Sequence, residues 1–519
     1  MNATHRQARL IEALLDPGRY PHPVERVERI ETHVSTVLLA GEFAYKIKKP
    51  VDLGFLDFRT LEQRAFFCAE EVRLNRRLAP DIYLGRIPIT GSCEAPVLGG
   101  EGAAIEYAVQ MRRFPAGALL LDHLERQALP LAVMDQLARL IADFHVSAER
   151  APAGSGYGEP KQVAAPIWDS LRDLQVLWGP AKASQLAGLE QWLTTEQTRL
   201  EPLFWTRRQD GFVRECHGDL HLRNLVWWDD RLLAFDCLEF DAGLRWTDVM
   251  SDLAFTLMDL EHRAAGAHAN RLKSAYLECG GDYGGLGVLR FYQFYRALVR
   301  AKIATLRVRQ LQEGTAEHAG QMQEAASYLA LAEHYTRPRQ PRLVLTCGLS
   351  GSGKSTLAQV LVEASGFVRI RSDVERKRLF GLSPSERAAA EAGEGIYSRD
   401  ASEITYRQLA ELARTALAAG DSVVVDAAFL KQEQRQAFYE LAAALQIPVD
   451  VLLADAAPEV LQARVLARQA AGSDPSDAGP TVLAYQQQTV EWPAAGECRL
   501  IRVATDAPDW REQLLRAFS

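Results

Sequence analysis

The sequence predicts two domains of different fold class: an α+β domain, followed by an α/β domain whose sheet is parallel. A chain of 519 residues is too long for one hydrophobic core. Its first part opens with a hairpin pattern and becomes mainly helical, whereas apolar strands and helices alternate in its last part. Two prolines and three arginines interrupt a helical pattern at residues 336–342. We therefore expect domains at 1–336 and 343–519, joined by a linker at 337–342.

The first domain is predicted to begin with a hairpin. Val34–Ala40 and Phe43–Lys48 read as strands, and Gly41-Glu42 between them reads as a tight connection. The other elements expected here are a helix at about 61–78, strands at 105–112, 225–228 and 232–235, and helices at 130–148 and after residue 246. A small sheet-rich lobe before a larger helical lobe is typical of an α+β fold.

The second domain is predicted to contain apolar strands separated by helices. Helix-separated apolar strands imply a parallel sheet that is covered on both faces. The predicted strands are Leu343–Cys347, Phe367–Arg371, Ser422–Asp426, Val449–Ala454 and Arg499–Val503.

A phosphate-binding loop directly follows the first of these strands. Residues 348–356 read Gly-Leu-Ser-Gly-Ser-Gly-Lys-Ser-Thr, which matches GxxxxGK[ST] between a strand and a helix. The glycines permit a turn whose N–H groups bind phosphate oxygens, and the helix N-terminus adds partial positive charge. We expect Lys354 to reach the β- and γ-phosphates and Ser355 to hold Mg²⁺. The predicted nucleotide-binding residues are Gly348, Ser350, Gly351, Ser352, Gly353, Lys354, Ser355 and Thr356.

Four further residues favour a kinase over a motor or a GTPase. Asp373 falls at the C-terminal end of the second strand, where it could accept the proton of an attacking hydroxyl group. Asp426 ends the third strand, where we expect it to hold the water shell of the metal or the acceptor. Arg464 and Arg468 lie four residues apart on one helical face and are predicted to close over the phosphates. The alternative for this pair is a solvated surface.

A second catalytic pattern occurs in the first domain. His217-Gly218-Asp219-Leu220-His221-Leu222-Arg223-Asn224 is followed, after a short pair of strands, by Asp236. One carboxylate must meet the acceptor hydroxyl, and an amide and a second carboxylate must hold Mg²⁺ on the triphosphate. We assign the first role to Asp219 and the metal to Asn224 and Asp236. His217 is expected to brace the loop backbone.

Two lysines end the second hairpin strand. Strand alternation places Lys46 and Lys48 on one face, and a lysine on such a strand pairs with a helical glutamate in kinases. We select Lys46, with Lys48 as the alternative, and Glu71 in preference to Glu70. The competing interpretation is a solvated lysine cluster on an edge strand.

These motifs resemble known families along nearly the whole chain. Residues 25–330 look like the aminoglycoside phosphotransferase and choline kinase superfamily, and residues 342–519 resemble P-loop kinases related to gluconate kinase, zeta toxin and phage polynucleotide kinase. The complete layout is similar to the bacterial bifunctional aminoglycoside phosphotransferase/ATP-binding protein family. The motifs that carry the resemblance are Tyr45-Lys46, residues 71–75, residues 235–240, the P-loop, Arg371-Ser372-Asp373 and residues 425–429.

The resemblance implies that Asp373 acts on the acceptor hydroxyl, as the first aspartate does in the P-loop relatives. The chain departs from the kinase pattern at one point, because no GxGxxG loop precedes Lys46. The corresponding turn is expected near residues 32–35. The acceptor itself does not follow from the resemblance, since fold and motif do not fix it.

Composition narrows the expected partners. Seven scattered cysteines without a CxxC pair argue against a disulfide framework or a zinc site and suit a reducing cytosol. A net charge of −8 disfavours nucleic acid as the main partner, and the sequence has neither a membrane-spanning stretch nor a secretion signal. We expect a cytoplasmic ATP:alcohol phosphotransferase that uses ATP and Mg²⁺ on a small-molecule alcohol.

Three alternatives remain open. In the first, the P-loop domain is active and the N-terminal domain is a binding or regulatory module, which the missing glycine loop favours. In the second, the C-terminal domain phosphorylates polynucleotide ends, which requires a basic, aromatic-lined groove beside Asp373. In the third, the chain is a nucleotide-gated assembly protein that only hydrolyses ATP slowly.

Overall fold

The computed structural model of the chain describes residues 3–52, 54, 56–383, 386, 395–471, 478–494 and 496–518. The chain folds into two compact units, and each unit collects several separate segments. Unit 1 contains Met1–Pro130, Asp143–Asp169 and Phe204–Asp259, and unit 2 contains Leu131–Ala142, Ser170–Leu203 and Leu260–Ser519. The boundary at 337–342 separates sequence domains rather than compact units, and it stays a prediction.

The strands of unit 1 are β1 (Val27–Glu31), β2 (Ser35–Ala40), β3 (Phe43–Lys48), β4 (Tyr83–Gly91), β5 (Pro96–Leu98), β6 (Glu106–Arg112), β7 (Val213–Glu215), β8 (Leu225–Trp228), β9 (Arg231–Ala234) and β10 (Trp246–Asp248). The strands of unit 2 are β11 (Leu343–Cys347), β12 (Val368–Arg371), β13 (Val423–Asp426), β14 (Val449–Asp455) and β15 (Arg499–Ala504).

The helices up to the predicted linker are α1 (Ala3–Ala13), α2 (Leu61–Asn75), α3 (Leu120–Glu125), α4 (Val133–Ser147), α5 (Pro160–Trp178), α6 (Ala183–Gln209), α7 (Ala242–Arg245), α8 (Val249–His262), α9 (Gly266–Gly280), α10 (Leu286–Val308) and α11 (Ala316–His334). Those after it are α12 (Lys354–Ser365), α13 (Ser372–Leu379), α14 (Arg399–Ala418), α15 (Gln432–Leu445), α16 (Pro458–Ala471), α17 (Pro480–Thr489) and α18 (Trp510–Phe518). None of the helices in the described ranges has both the length and the apolar character needed to cross a bilayer.

The main sheet of unit 1 is antiparallel, with the strand order β1-β2-β3-β6-β4-β5. Ala40 pairs with Phe43, so the predicted two-residue connection is present. Gly41 has a φ of +58°, and a Cβ there would lie 2.7 Å from the carbonyl oxygen of Pro23. The sheet and the helices that follow it confirm the predicted α+β fold.

The sheet of unit 2 is parallel throughout, with the order β12-β13-β11-β14-β15. Every residue of the central strand β11 is buried, which explains why its sequence is apolar apart from Thr346, whose hydroxyl donates to the carbonyl oxygen of Ala427. Residues of the sheet such as Val424 and Leu452 form a buried core with Leu357 and Leu361 of α12. This confirms the predicted α/β fold, with a helix on the P-loop side of the sheet.

Candidate functional sites

Three predicted residues from distant parts of unit 1 meet at β3. Lys46 Nζ lies 2.8 Å from Glu71 Oε1 on α2 and 2.5 Å from Asp236 Oδ1, which follows β9. Burial by itself lowers the pKa of Lys46, but the carboxylates of Asp236 and Glu71 outweigh it, so this pKa is raised well above its usual value. The lysine is therefore held as a cation between two carboxylates.

Glu71 also binds the second lysine of the strand. Lys48 Nζ lies 2.6 Å from Glu71 Oε2 and donates a hydrogen bond to Glu239, and its side chain is fully buried. Lys46 and Lys48 thus project to the same face, as strand alternation predicts. Glu70, the alternative partner, instead forms ion pairs with Arg73 and Arg245.

The two acidic partners of Lys46 are held in their charged form. Burial by itself raises the pKa of Glu71, but the two lysines outweigh it, and the pKa is lowered. The pKa of Asp236 is likewise lowered, because Lys46 outweighs the effect of burial. Asp236 has a φ of +60°, in the left-handed region that residues other than glycine adopt uncommonly.

Asp219 and Asn224 are neighbours in the predicted catalytic loop. Asn224 Nδ2 donates to the main-chain oxygen of Asp219 at 2.9 Å and to its Oδ2 at 3.1 Å. The N–H group of Phe235 donates to the main-chain oxygen of Asn224 at 3.0 Å, which joins the loop to the segment that carries Asp236. The Asp219 side chain is 34% exposed, so an acceptor can reach it.

His217 braces this loop. The N–H group of Asp219 donates to His217 Nδ1 at 3.3 Å, and His217 Nε2 lies 3.0 Å from the carbonyl oxygen of Phe235. These two contacts fit a neutral ring that carries its proton on Nε2. Burial lowers the pKa of His217, which agrees with a neutral ring. Both contacts are to the main chain, as a bracing role requires.

One face of α8 anchors the same loop. Asp252 accepts two main-chain N–H groups of residues 217–222 at 2.7 and 2.8 Å, and Asp259 accepts a third at 3.0 Å. The Thr256 hydroxyl donates to a main-chain carbonyl of the loop at 2.6 Å. Neither Thr256 nor Asp259 was predicted from the sequence. Their spacing of four and seven residues from Asp252 was the available signal.

A group with metal-ligand geometry lies beside the loop. In the described part of the chain, His145, Cys216 and Asp252 have potential ligand atoms within 4.8 Å of one another. The Asp252 carboxylate is engaged by two N–H groups, and burial raises the pKa of Cys216 well above its usual value. A protonated thiol and an engaged carboxylate are poor ligands, so we interpret the group as structural.

The predicted P-loop connects β11 to α12 in unit 2. Gly348 and Gly351 have φ values of +148° and +82°. A Cβ would lie 2.5 Å from a backbone oxygen at Gly348 and 2.6 Å from another at Gly351, so both positions require glycine for space as well as for conformation. Ser350 and Ser352 are buried, whereas the predicted magnesium ligand Ser355 is exposed at the start of α12.

Lys354 folds back over this loop. Its Nζ donates to the carbonyl oxygens of Gly348 at 3.0 Å and Leu349 at 2.8 Å. Burial lowers the pKa of Lys354, and the carboxylates of Asp426 and Asp373 oppose that shift without cancelling it. The three predicted residues therefore belong to one electrostatic environment.

The carboxylates of Asp426 and Asp373 belong to different kinds of element, a strand and a helix. Asp426 is buried and ends β13, as predicted. The strand β12 ends at Arg371, as predicted, and α13 begins at Ser372, so Asp373 lies in the first helical turn, two residues beyond the strand. This position keeps Asp373 at the C-terminal edge of the parallel sheet.

The two predicted lid arginines contact main-chain oxygens. Arg464 donates to the carbonyl oxygen of Gly351 at 3.3 Å and to both oxygens of Thr505, at 2.8 and 3.1 Å. Arg468 donates to the carbonyl oxygen of Ala478 at 2.9 Å, and its charge contributes to lowering the pKa of Lys354. Closure of these arginines over phosphates stays a prediction.

A glutamine side chain accepts a hydrogen bond from one of the N–H groups of the P-loop. The N–H of Ser350 donates to Oε1 of Gln486, on α17, at 2.8 Å. Sequence reasoning predicted that this N–H group binds phosphate and missed Gln486, whose contact spans 136 residues of sequence and leaves no local signal. A phosphate oxygen bound at Ser350 must therefore replace an amide oxygen.

Comparison with known proteins agrees with this layout. Residues 343–493 match the family described as AAA domain. Three mycobacterial proteins, two from Mycobacterium tuberculosis and one from Mycobacterium bovis, are 31% identical to the chain over 477 residues. That alignment covers 90% of this chain and 92% of each relative, so the relatedness extends across both catalytic patterns. All three relatives are described only as uncharacterized.

Solved structures resemble separate parts of the chain. Amicoumacin kinase hAmiN in complex with AMP-PNP, Ca²⁺ and Ami is 12% identical, covers 64% of this chain and 96% of its own, and has a TM-score of 0.41. Choline kinase from Cryptosporidium parvum Iowa II is 11% identical, with 63% and 93% covered and a TM-score of 0.39. A gluconokinase from Sinorhizobium meliloti is 24% identical, with 34% and 94% covered and a TM-score of 0.25. Similarities at these TM-scores add nothing to what the geometry and the mycobacterial relatives establish.

Proposed function

Because the chain belongs to the bacterial family that joins an aminoglycoside phosphotransferase-like kinase domain to a P-loop kinase domain, we propose that it is a kinase with two ATP sites. Each site transfers the γ-phosphoryl group to a hydroxyl group of a small molecule. The N-terminal site uses Asp219 and the C-terminal site uses Asp373 as the residue that accepts the proton of the acceptor.

One observation common to both units carries this proposal. In unit 1 the ammonium group of Lys46 lies between the carboxylates of Glu71 and Asp236. In unit 2 Lys354 Nζ donates to carbonyl oxygens of the P-loop, and the carboxylates of Asp426 and Asp373 oppose the lowering of its pKa. A lysine with carboxylates nearby suits a magnesium-bound triphosphate, which offers anionic oxygens to the lysine and a cation to the carboxylates.

The residues present fit a nucleotide and its metal. At the P-loop the Ser355 hydroxyl is exposed, while the N–H group of Ser350 and the Lys354 ammonium group are bonded to oxygens of Gln486 and of the loop, which phosphate oxygens would replace. The loop has room for this close backbone approach because two of its positions are glycines, where a Cβ would collide with a backbone oxygen. In unit 1, the charged Asp236 and the neighbouring amide of Asn224 are oxygen donors of the type that Mg²⁺ prefers. When bound, Mg²⁺ neutralises charge on the triphosphate. Asn224 and Asp236 would hold it in unit 1, and Ser355 in unit 2, with Asp426 holding its water shell.

In unit 1 different residues bind the phosphates, accept the proton and position the catalytic loop. Lys46 binds phosphate oxygens and is itself held by Glu71. Asp219 accepts the proton from the acceptor hydroxyl, whose oxygen forms a bond to the γ-phosphorus as the bond to the leaving ADP oxygen breaks. His217 and α8 fix the main chain of the loop, so Asp219 reaches the reaction already oriented.

In unit 2 the backbone does most of the binding. The N–H groups of the P-loop and Lys354 bind the β- and γ-phosphates, and Arg468 supplies further positive charge. Asp373 accepts the acceptor proton at the C-terminal edge of the sheet. Arg464 supports the loop through Gly351 and Thr505, in addition to the lid role that the sequence predicts for it.

A second candidate function keeps the P-loop site active and makes the N-terminal domain a regulatory or binding module. It is favoured by the β1–β2 turn, where the cover over the phosphates would lie in a kinase. That turn is formed by Thr32, His33 and Val34 and contains no glycine. Thr32 is held by hydrogen bonds to Ser35 and by Lys49, which leaves few free N–H groups for phosphate.

The two functions separate in one experiment. The wild-type protein, Asp219→Ala and Lys354→Ala are each incubated with a bacterial metabolite extract and ATP labelled at the γ-phosphate, and labelled products are separated by chromatography. Two active sites predict that each substitution removes a different labelled product. If only Lys354→Ala removes label, the N-terminal domain is a regulator; if neither substitution changes the products, the two-site proposal is wrong.

A further inference from the structure

Helix α9 lies along the edge of the parallel sheet in unit 2, although it precedes the predicted linker in sequence. β12 is the end strand of that sheet, and among the described residues no further strand pairs with its outer side. The N–H group of Arg369 on β12 donates instead to the hydroxyl of Ser274 on α9, at 3.1 Å. The helix therefore covers an edge that would otherwise expose main-chain donors.

Ion pairs connect α9 to the sheet near the amino ends and near the carboxyl ends of its parallel strands. Lys273 pairs with Asp421 at 2.7 Å, just before β13 begins. One turn and a half further along the helix, Glu278 pairs with Arg369 at 2.9 Å and with Arg371 at 3.3 Å. Arg371 is the last residue of β12, so the Glu278 contacts lie at the carboxyl edge of the sheet, where the P-loop site is located.

Arg371 links Glu278 to that site. It stands opposite Asp426 in the register of β12 and β13, and its Nε is 3.8 Å from Asp426 Oδ2. A separation of 3.8 Å is an ion pair without a hydrogen bond. Asp426 in turn interacts electrostatically with Lys354. Ion pairs therefore join Glu278 to Arg371 and Arg371 to Asp426, and Asp426 acts on Lys354 through its charge.

We propose that Glu278 is a positioning residue of the P-loop site, which holds Arg371 back from Asp426 and so leaves that carboxylate available to the water shell of Mg²⁺. The proposal rests on the proposed kinase function of the P-loop. The side chains of Glu278, Arg371 and Asp426 are 17%, 13% and 5% exposed, so water screens their interactions weakly. Without Glu278, the guanidinium of Arg371 is drawn into a two-point hydrogen-bonded pair with Asp426.

The test compares Glu278→Gln with Asp421→Asn in the full chain. Both substitutions remove one carboxylate charge from the ion pairs of α9. Asp421 lies near the amino ends of the strands, however, away from the P-loop at their carboxyl ends. Asp219→Ala is present in every variant to stop phosphate transfer at the N-terminal site, and the AMP-PNP binding that remains when Lys354→Ala is added is subtracted as the contribution of that site. We measure ADP formation from Mg·ATP with water as the acceptor, the Mg²⁺ concentration for half-maximal rate, and calorimetric binding of AMP-PNP at several Mg²⁺ concentrations.

Glu278→Gln is expected to lower the rate about tenfold and to raise the Mg²⁺ requirement of both turnover and AMP-PNP binding by a similar factor. Asp421→Asn is expected to leave both within about twofold. Adding Arg371→Gln to Glu278→Gln should return the Mg²⁺ requirement toward that of the parent, since the competing guanidinium is gone. A double variant as impaired as Glu278→Gln overturns the proposal, and so do equal effects of Glu278→Gln and Asp421→Asn.

Two controls keep the result interpretable. Lys354→Ala must abolish ADP formation; if it does not, the proposed function fails, independently of Glu278. If Glu278→Gln does not fold, as judged by thermal melting, Glu278→Asp replaces it, because aspartate keeps the charge but reaches less far. It should raise the Mg²⁺ requirement about threefold, and an unchanged requirement contradicts the proposal.

Discussion

The two candidate sites hold their lysines through different direct contacts. Lys46 is clamped by carboxylates that raise its pKa, whereas Lys354 rests on carbonyl oxygens of its own loop and has a lowered pKa. The first lysine needs partners up to 190 residues away in sequence, and the second has its hydrogen-bond acceptors within six residues. A site built from distant ion pairs depends on the whole fold, while a site built from contiguous backbone depends mainly on one loop.

Replacement of the two lysines should therefore have different consequences. Lys354→Ala is expected to reduce P-loop-dependent phosphate transfer by about 10³-fold with little loss of stability, since it removes charge stabilisation but no buried ion pair. Lys46→Ala should both reduce transfer at the N-terminal site and lower the unfolding temperature, because Glu71 and Asp236 lose their common cation. Label transfer and thermal melting measure the two effects. Equal destabilisation by both substitutions would contradict the comparison.

The stability of unit 1 gives the next largest effect. Glu71→Gln removes the carboxylate shared by Lys46 and the fully buried Lys48, and we expect a loss of about 3 kcal/mol in the free energy of unfolding. Glu62→Gln is the matched control, since Glu62 is exposed on the same helix and should change this free energy by less than about 0.5 kcal/mol. Urea titration followed by circular dichroism measures both. A loss below about 1 kcal/mol for Glu71→Gln would mean that the clamp is not a stabilising element.

The same contrast explains what could be predicted from the sequence. The P-loop could be predicted in full because its strand, loop and helix are adjacent in sequence. The strand β11 begins and ends at the predicted residues. The hairpin of β2 and β3 was readable from its Gly41-Glu42 connection. In contrast, β1, β4 and β5 were not identified. β1 is mostly charged and exposed, and β4 contains glycine and proline, so neither shows the apolar alternation of a half-buried strand.

Residues that act through long-range contacts were the hardest to find. Glu71 was selected from a general pairing rule, but Glu239 and its bond to Lys48 had no signal in sequence. Gln486 and Glu278 are polar residues on helices that carry other polar residues, most of which are expected to face solvent. Their partners, Ser350 and Arg371, lie 136 and 93 positions away. Only the packed structure brings such pairs together, because periodicity describes a face of a helix and not what it touches.

The pKa contrast between the two lysines can be measured directly. A neutral amine reacts with acetic anhydride and an ammonium group does not, so a lowered pKa increases the reactive fraction at a given pH and a raised pKa decreases it. We expect the rate of acetylation of Lys354 to reach its midpoint below pH 10.5, and that of Lys46 to reach it above pH 10.5. Competitive labelling between pH 7 and about 11, with mass spectrometry of the peptides, locates the midpoint of Lys354 and shows whether Lys46 is still mostly unreactive at pH 10.5.

Mg·ATP should then protect Lys354 from labelling, which serves as the control that the reaction reports on the nucleotide site. Midpoints in the reverse order would show that Lys46 is not clamped by Glu71 and Asp236 as a cation. The pH profile is used rather than the absolute rate, since burial slows the entry of the reagent at both lysines without moving the midpoint.

The smallest effect concerns the glutamine that holds the P-loop in place of phosphate. Gln486 Oε1 accepts the N–H group of Ser350 at 2.8 Å, and a nucleotide must break this bond to use the same donor. A net hydrogen bond of this kind is worth about 1 kcal/mol, so Gln486→Ala should tighten binding of AMP-PNP about fivefold in calorimetry. Gln487→Ala, one position along the same helix and exposed, is the control and should leave affinity unchanged. Weaker binding by Gln486→Ala would instead place Gln486 among the groups that hold the bound nucleotide. In that case the backbone loop, like the carboxylate clamp around Lys46, would depend on a distant side chain, and the contrast between the two sites would be one of degree.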